Sequence, residues 1–191
     1  MRIIAGEHRG RLLKAPEGQG TRPMLDRVRE ALFSSLGERV VDARVLDLFA
    51  GTGSLGLEAL SRGAASARFI ERDPRVVKIL RENIAGLALG ERATCVGGDA
   101  SARLVWRERG DVSTRYDIVF VDSPYPLLDI GKSRYELFAA FALLARDYLA
   151  EGGLIVFHAP CDRVQTAEFG ATLTAELREY GTNAIWYLER A

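Results

Sequence analysis

The stretch Val45-Leu46-Asp47-Leu48-Phe49-Ala50-Gly51-Thr52-Gly53-Ser54-Leu55-Gly56 constrains this chain more than any other. A short apolar run passes into Gly-x-Gly-x-x-Gly, and a helical apolar pattern through Leu57 and Leu60 follows at once. That order reads as strand, tight turn and helix, the opening unit of a doubly wound α/β sheet. Glycine is required where backbone must turn sharply and approach a ligand closely, because a Cβ would clash or forbid the dihedrals.

From Arg44 onward strand and helix patterns alternate, as in a parallel sheet. Continuous apolar runs predict buried strands at Arg44 to Leu48, Ala67 to Glu71, Ala93 to Val96, Asp117 to Val121 and Leu154 to His158, each ending near a polar residue. Asp73 before Pro74 marks the start of a helix carrying Val76, Val77, Leu80 and Ile84. A further helix is expected from about Tyr135 to Leu149, stopped by Gly152-Gly153. Two last strands, about Ala171 to Arg178 and Asn183 to Glu189, should pair as an antiparallel hairpin. The expected fold is therefore Rossmann-like α/β, with seven strands, mostly parallel, and with ligands beyond the strands' carboxyl ends.

The 191 residues suit one domain. Within it, residues 1–20 read as a basic hairpin extension and residues 21–191 as the catalytic core. Met1 to Ala5 and Arg11 to Ala15 are short extended segments around a turn containing Gly6 and Gly10, and Thr21 to Leu36 follows as a helix with Val28, Ala31, Leu32 and Leu36 on one face. The first thirty residues carry a net +3 and the rest −3, so the formal charge sums to zero. A polyanion would have to be met by this local patch, not by an overall field.

The longest apolar run, Leu137 to Ala145, has nine residues where a membrane span needs about twenty, and MRIIAGEHRGR holds no signal-like apolar stretch. The expectation is a cytoplasmic protein that meets no membrane. Cys95 and Cys161 lie 66 positions apart and read as reduced thiols. His8 and His158 are equally isolated, so neither receives a role and no metal site is expected. The chain is expected to act as a monomer.

Glu71 closes the second strand twenty positions past Gly51, where a carboxylate can accept hydrogen bonds from two ribose hydroxyls. A nucleoside-containing cofactor follows, either a dinucleotide or S-adenosylmethionine. Asp47 favours the latter, because a carboxylate beside the first glycine repels a pyrophosphate and attracts a sulfonium and an amino group. The cofactor-binding candidates are Asp47, Phe49, Gly51, Gly53, Glu71, Asp99 and Ala100. Asp99 reads equally as the N-cap of a helix over Ala100 to Trp106.

The fourth strand ends abruptly in Asp122-Ser123-Pro124-Tyr125-Pro126. An exocyclic amine on a base is a poor nucleophile because its lone pair is delocalised into the ring. The Asp122 carboxylate and Ser123 carbonyl can accept both N–H groups and free that lone pair, while Tyr125 offers a stacking face for a flipped base. The alternative is an Asp-capped turn stiffened by two prolines.

Asp122-Ser123-Pro124-Tyr125 resembles the Asp/Asn-Pro-Pro-Tyr signature of amino methyltransferases. Together with MRIIAGEHRGR, Arg22-Pro23 through Phe33, and Asp47 to Gly56, it resembles the bacterial RsmD family over nearly the whole chain. The resemblance implies a class I methyltransferase with an N-terminal β-hairpin, using S-adenosylmethionine to methylate N2 of a guanine in 16S rRNA of small-subunit assembly particles. It implies Asp122, Ser123, Pro124 and Tyr125 as catalytic residues and no metal. Arg2, Arg9, Arg11, Lys14, Arg22, Arg27, Lys132 and Arg134 would contact RNA phosphates without reading sequence.

Two positions depart from the pattern. Ser123 replaces a proline but keeps the backbone carbonyl, and Met24-Leu25 replaces two threonines, which nothing in the sequence explains. Adenine-N6 methylation, a catalytically silent RNA-binding factor and a nicotinamide-dependent oxidoreductase are the competing readings.

Overall fold

Apolar strands that alternate with amphipathic helices have one economical solution, a sheet covered on both faces. The computed structural model describes residues 1–16, 24–107 and 114–191. In chain order the elements are α1 (Asp26–Leu36), β1 (Arg44–Leu48), α2 (Ser54–Ser61), β2 (Ser66–Glu71), α3 (Pro74–Gly86), β3 (Ala93–Gly97), β4 (Tyr116–Val121), α4 (Lys132–Asp147), β5 (Leu149–Pro160), β6 (Leu173–Tyr180) and β7 (Asn183–Arg190). The strand order is β3-β2-β1-β4-β5-β7-β6. The first five strands run parallel, and β7 pairs antiparallel with both β5 and β6.

Strand periodicity divides the core in two. Val45, Phe69, Ile118, Phe120, Val156 and Ile185 pack with Leu32, Leu57 and Leu80 from α1, α2 and α3. Leu46, Ile70, Val119, Ile155, Phe157 and Trp186 face the other way, onto Phe141 and Leu144 of α4. Chain direction across the sheet reverses between β1 and β4, where their carboxyl ends leave a crevice.

Four expectations need adjusting. Helix α4 begins at Lys132, not Tyr135, and ends at Asp147. Gly152-Gly153 lie inside β5, where the β4–β5 register shifts, and do not stop the helix. A Cβ on Gly153 would meet the Tyr116 and Ala150 carbonyl oxygens at 3.0 Å, so the bulge takes glycine for lack of room. The N-terminal hairpin forms as one bridge, Arg2 to Leu12, flanked by Ile3 N to Arg11 O at 3.0 Å and Leu13 N to Met1 O at 2.9 Å. Helix α1 starts at Asp26, and the part of its expected span at residues 21–23 lies outside the described residues.

The extension is fastened to α2 by a buried carboxylate. Glu58 accepts from Ile4 N at 2.7 Å, Ala5 N at 3.0 Å and Arg62 Nε at 2.8 Å. The fully buried Arg29 lies 3.9 Å from the same carboxylate and donates through Nη2 to the Arg2 carbonyl and to Asp26. Burial pulls the Arg29 pKa below its ordinary value, and the charges of Glu58 and Asp26 oppose that. On α3, Asn83 accepts from Lys14 N at 2.8 Å and donates to the Lys14 and Thr52 carbonyls, tying the extension to the glycine loop.

Candidate active site

The loop after β1 is shaped by its glycines in two ways. Gly53 sits at φ +91° as the N-cap of α2, a left-handed conformation, and a Cβ there would meet Leu80 at 2.5 Å. Gly56 lets α2 press onto the sheet, because its Cβ would meet the Phe69 ring at 2.3 Å. Around Gly51, by contrast, nothing lies within 4 Å of a Cβ position, so the loop's outer face is open. Phe49 holds φ +58°, which costs a non-glycine residue about 1–2 kcal/mol.

Carboxylates brace this loop. Glu71 accepts from Gly51 N at 3.0 Å through one oxygen and from Asp73 N at 2.9 Å through the other. Asp47 is buried and accepts from Gly56 N at 2.9 Å. Burial, together with the negative charges of Asp122 and Glu71, pushes its pKa up to about 7 against the help of that hydrogen bond. Exposed Asp99 accepts from Ser101 N at 2.9 Å and forms a turn; the helix expected over Ala100 to Trp106, with Asp99 as its cap, shortens to a 3-10 turn, Arg103–Trp106, whose N-cap is Ala102. Ala100 is buried, with its carbonyl held by Trp106 Nε1 at 2.7 Å. A small apolar cleft runs between Phe49, Ala100, Trp106, Leu137 and Phe141.

Across the crevice, Asp122 follows β4 directly. Its Oδ1 lies 2.8 Å from Nδ1 of His158, whose Nε2 lies 2.9 Å from Oδ1 of Asn183. Ser123 is buried, and its Oγ has no hydrogen-bond partner. Pro124 leads into a short 3-10 turn, Tyr125–Leu128. Tyr125 is half-exposed and meets the His158 ring edge-on at 6.5 Å between centroids. Asp47, Glu71, Asp122 and Tyr125 thus gather at one sheet edge, as expected.

Sequence reasoning passed over His158 and Asn183. Only the strand register reveals them: β4 and β5 pair in parallel with Val121 opposite Phe157, so the next residues, Asp122 and His158, are adjacent.

The basic residues divide by engagement. Arg9 and Arg27 are exposed beside the extension, and Arg2 is exposed with Asp26 at 3.9 Å. Arg11 donates to the Gly86 carbonyl, Lys14 pairs with Glu82 at 2.8 Å, and exposed Lys132 lies 3.5 Å from Glu136. Arg134 is a correction: its guanidinium is consumed by Glu168 and the Leu128 and Arg163 carbonyls, which locks α4 to neighbouring loops and leaves little for a phosphate. Arg22 lies outside the described residues. Among the described residues no group of three or more His, Cys, Asp or Glu is placed to hold a metal ion, and no helix is long and apolar enough to cross a membrane.

The strand order, the glycine turn after β1 and the carboxylate after β4 define the class I methyltransferase architecture. The family model described as "Conserved hypothetical protein 95" matches residues 1–189, and the chain belongs to that family, the RsmD family anticipated from its motifs. It is similar to ribosomal RNA small subunit methyltransferase D of Escherichia coli K12, with 48% identity over 125 residues, 65% of this chain. The counterpart from Haemophilus influenzae is 39% identical over 125 residues, again 65% of this chain. The matches span 60% and 64% of the lengths of those two relatives. A solved structure of a candidate methyltransferase from Escherichia coli superimposes with a TM-score of 0.80 at 36% identity, covering 100% of this chain and 97% of the other.

Proposed function

We propose that this protein transfers a methyl group from S-adenosylmethionine to the exocyclic N2 amine of a guanine in 16S rRNA, within small-subunit assembly particles. The observation that carries this reading is the pairing of an open glycine loop, braced by Glu71 and Asp47, with an oriented carboxylate directly across the crevice. The names of the relatives support the ribosomal RNA substrate. The guanine N2 specificity rests on the resemblance carried by Asp122 to Tyr125 and the N-terminal segment.

The residues present fit this cofactor. A buried carboxylate with its pKa raised to about 7 is a negative charge lacking compensation, which a cationic ligand supplies. Asp47 would face the cationic end, Glu71 the ribose, and the cleft by Phe49 and Ala100 the flat adenine. When bound, S-adenosylmethionine supplies a methyl carbon on a positively charged sulfur, open to in-line displacement by a nitrogen lone pair. Asp122 and the Ser123 carbonyl accept the amine's two N–H groups, which localises that lone pair. Asp122 then receives the proton the nitrogen sheds. Tyr125 stacks the extruded base, and the exposed basic residues Arg2, Arg9 and Arg27 hold the backbone.

Cofactor choice is tested by thermal shift. S-adenosylhomocysteine at about a hundred times its Kd should raise the Tm by roughly 5–10 °C, from about 2.7 kcal/mol of linkage. A rise with NAD(H) instead would overturn the reading.

The cofactor's affinity should also depend on pH. Below about 7 the Asp47 carboxyl is increasingly protonated and loses its attraction for a cation. Affinity measured by calorimetry should therefore rise ~10-fold between roughly pH 6 and pH 8, and the gradient should vanish in Asp47→Asn. In the free protein the sign is opposite: the raised pKa means that stability falls as pH climbs from the ordinary carboxyl value toward about 7.

Tyr125→Ala should weaken RNA binding by about 1–3 kcal/mol while leaving cofactor affinity unchanged. Equal RNA affinity in a filter-binding comparison would place the base elsewhere.

A further inference from the structure

The imidazole of His158 is enclosed between two acceptors. On one side is the Asp122 carboxylate, 2.8 Å from Nδ1; on the other is Asn183 Oδ1, 2.9 Å from Nε2. The orientation of the Asn183 amide is set by its own nitrogen, which donates to the Tyr180 carbonyl at 3.4 Å. The reverse orientation would set two carbonyl oxygens against each other there. With Oδ1 facing the ring, Nε2 must carry a proton. A neutral ring would then turn the bare lone pair of Nδ1 toward a carboxylate oxygen, and only a doubly protonated ring satisfies both neighbours.

We propose that His158 is a positioning residue for Asp122: held as an imidazolium between Asn183 and Asp122, it fixes that carboxylate through Oδ1, leaving Oδ2 to grip the substrate amine. The catalytic half of this assignment rests on the methyltransferase reading above; the charge state of the ring does not.

The strand register makes the arrangement rigid. His158 follows Phe157, which pairs with Val121 of β4, and it faces Ile185 on β7, two residues beyond Asn183. The ring is 4% exposed, so water cannot substitute for either partner. The groups that face it are Asp122 at the end of β4, Asn183 on β7 and the edge of Tyr125 from the following turn, while Asp47 on β1 acts on Asp122 through its charge. Burial alone would lower the ring's pKa, but the hydrogen bond and charge of Asp122, with Asn183, outweigh it and hold the pKa above the ordinary histidine value. The stabilisation from this pair is therefore full below the ordinary value and is lost as pH rises through the folded-state value.

The chain has two histidines, so a 15N imidazole spectrum is assignable from one variant. At about pH 7 both ring nitrogens of His158 should show imidazolium shifts, and Asp122→Asn should move the ring's titration downward. Neutral-imidazole shifts in the wild type, or an unmoved His158 titration in Asp122→Asn, would overturn the assignment. Both readouts stand even if no RNA substrate is methylated, a result that would count against the proposed function and not against the ion pair. With transfer established, His158→Phe should lower kcat about 10- to 100-fold with the KM for S-adenosylmethionine unchanged. His158→Gln, whose amide can donate to Asp122, should recover part of kcat but lack the decline at basic pH that deprotonation of His158 is expected to give the wild type. A wild-type pH profile in His158→Gln would contradict the positioning role.

Discussion

Replacing Asp122 by Ala should lower methyl transfer by about 10²–10³-fold while S-adenosylmethionine binds as tightly as before. The expectation follows from where the residue stands. Asp122 follows β4, across the crevice from the glycine loop, and its carboxylate is held by His158 and not by the loop backbone. On the proposed function it acts on the amine, and an oriented polar group at the reacting atom contributes about 2.7–4 kcal/mol to the transition state. Single-turnover rates and calorimetric cofactor affinity, measured on the same preparation, separate the two effects. Loss of both in equal measure would show that Asp122 serves the cofactor instead. Asp122→Asn is informative beside it, because an amide keeps the shape but presents a donor where the ion pair needs an acceptor.

The second large effect concerns the attachment of the N-terminal extension. Glu58→Ala should destabilise the protein by about 3–5 kcal/mol, because it strands the Arg29 charge in the core and leaves the Ile4 and Ala5 amides without their acceptor. Against a typical total of about 5–15 kcal/mol, this is a loss easily seen in urea unfolding. A pair of apolar residues of similar volume, Glu58→Leu with Arg29→Met, should recover only the part that comes from the stranded Arg29 charge, since the Ile4 and Ala5 amides still lack their acceptor. A single variant that unfolds like the wild type would show that the extension is held without Glu58, by Ile3 and Leu13 packing and by the Asn83 contacts to Lys14.

How much of this was legible in the sequence depends on whether a feature is local. Strand β1 matches its expected bounds, Arg44 to Leu48, because a buried parallel strand is a continuous apolar run closed by a glycine turn. Asp73 and Pro74 likewise fixed the start of α3, where Asp73 accepts from Arg75 N at 2.8 Å. Gly152-Gly153 misled because glycine serves a strand bulge as readily as a helix stop, and only the shift against Tyr116 distinguishes them. Of the site, the residues within the two motifs could be named, since turn chemistry and strand ends are written locally. His158, Asn183, Glu58 and Arg29 could not, because each has its role only through a partner 25 or more positions away. Arg134 looked like a free basic residue until Glu168, 34 positions on, was brought against it.

The central claim is that the edge from Asp47 to Asp122 transfers a methyl group to guanine N2. Its most direct test offers labelled S-adenosylmethionine with assembled small subunits and naked ribosomal RNA in parallel, followed by digestion to nucleosides. Labelled N2-methylguanosine is the predicted product, formed about 10²–10³-fold more slowly by Asp122→Ala. Labelled N6-methyladenosine, or no labelled nucleoside from either substrate by a protein that binds the cofactor, would contradict the account.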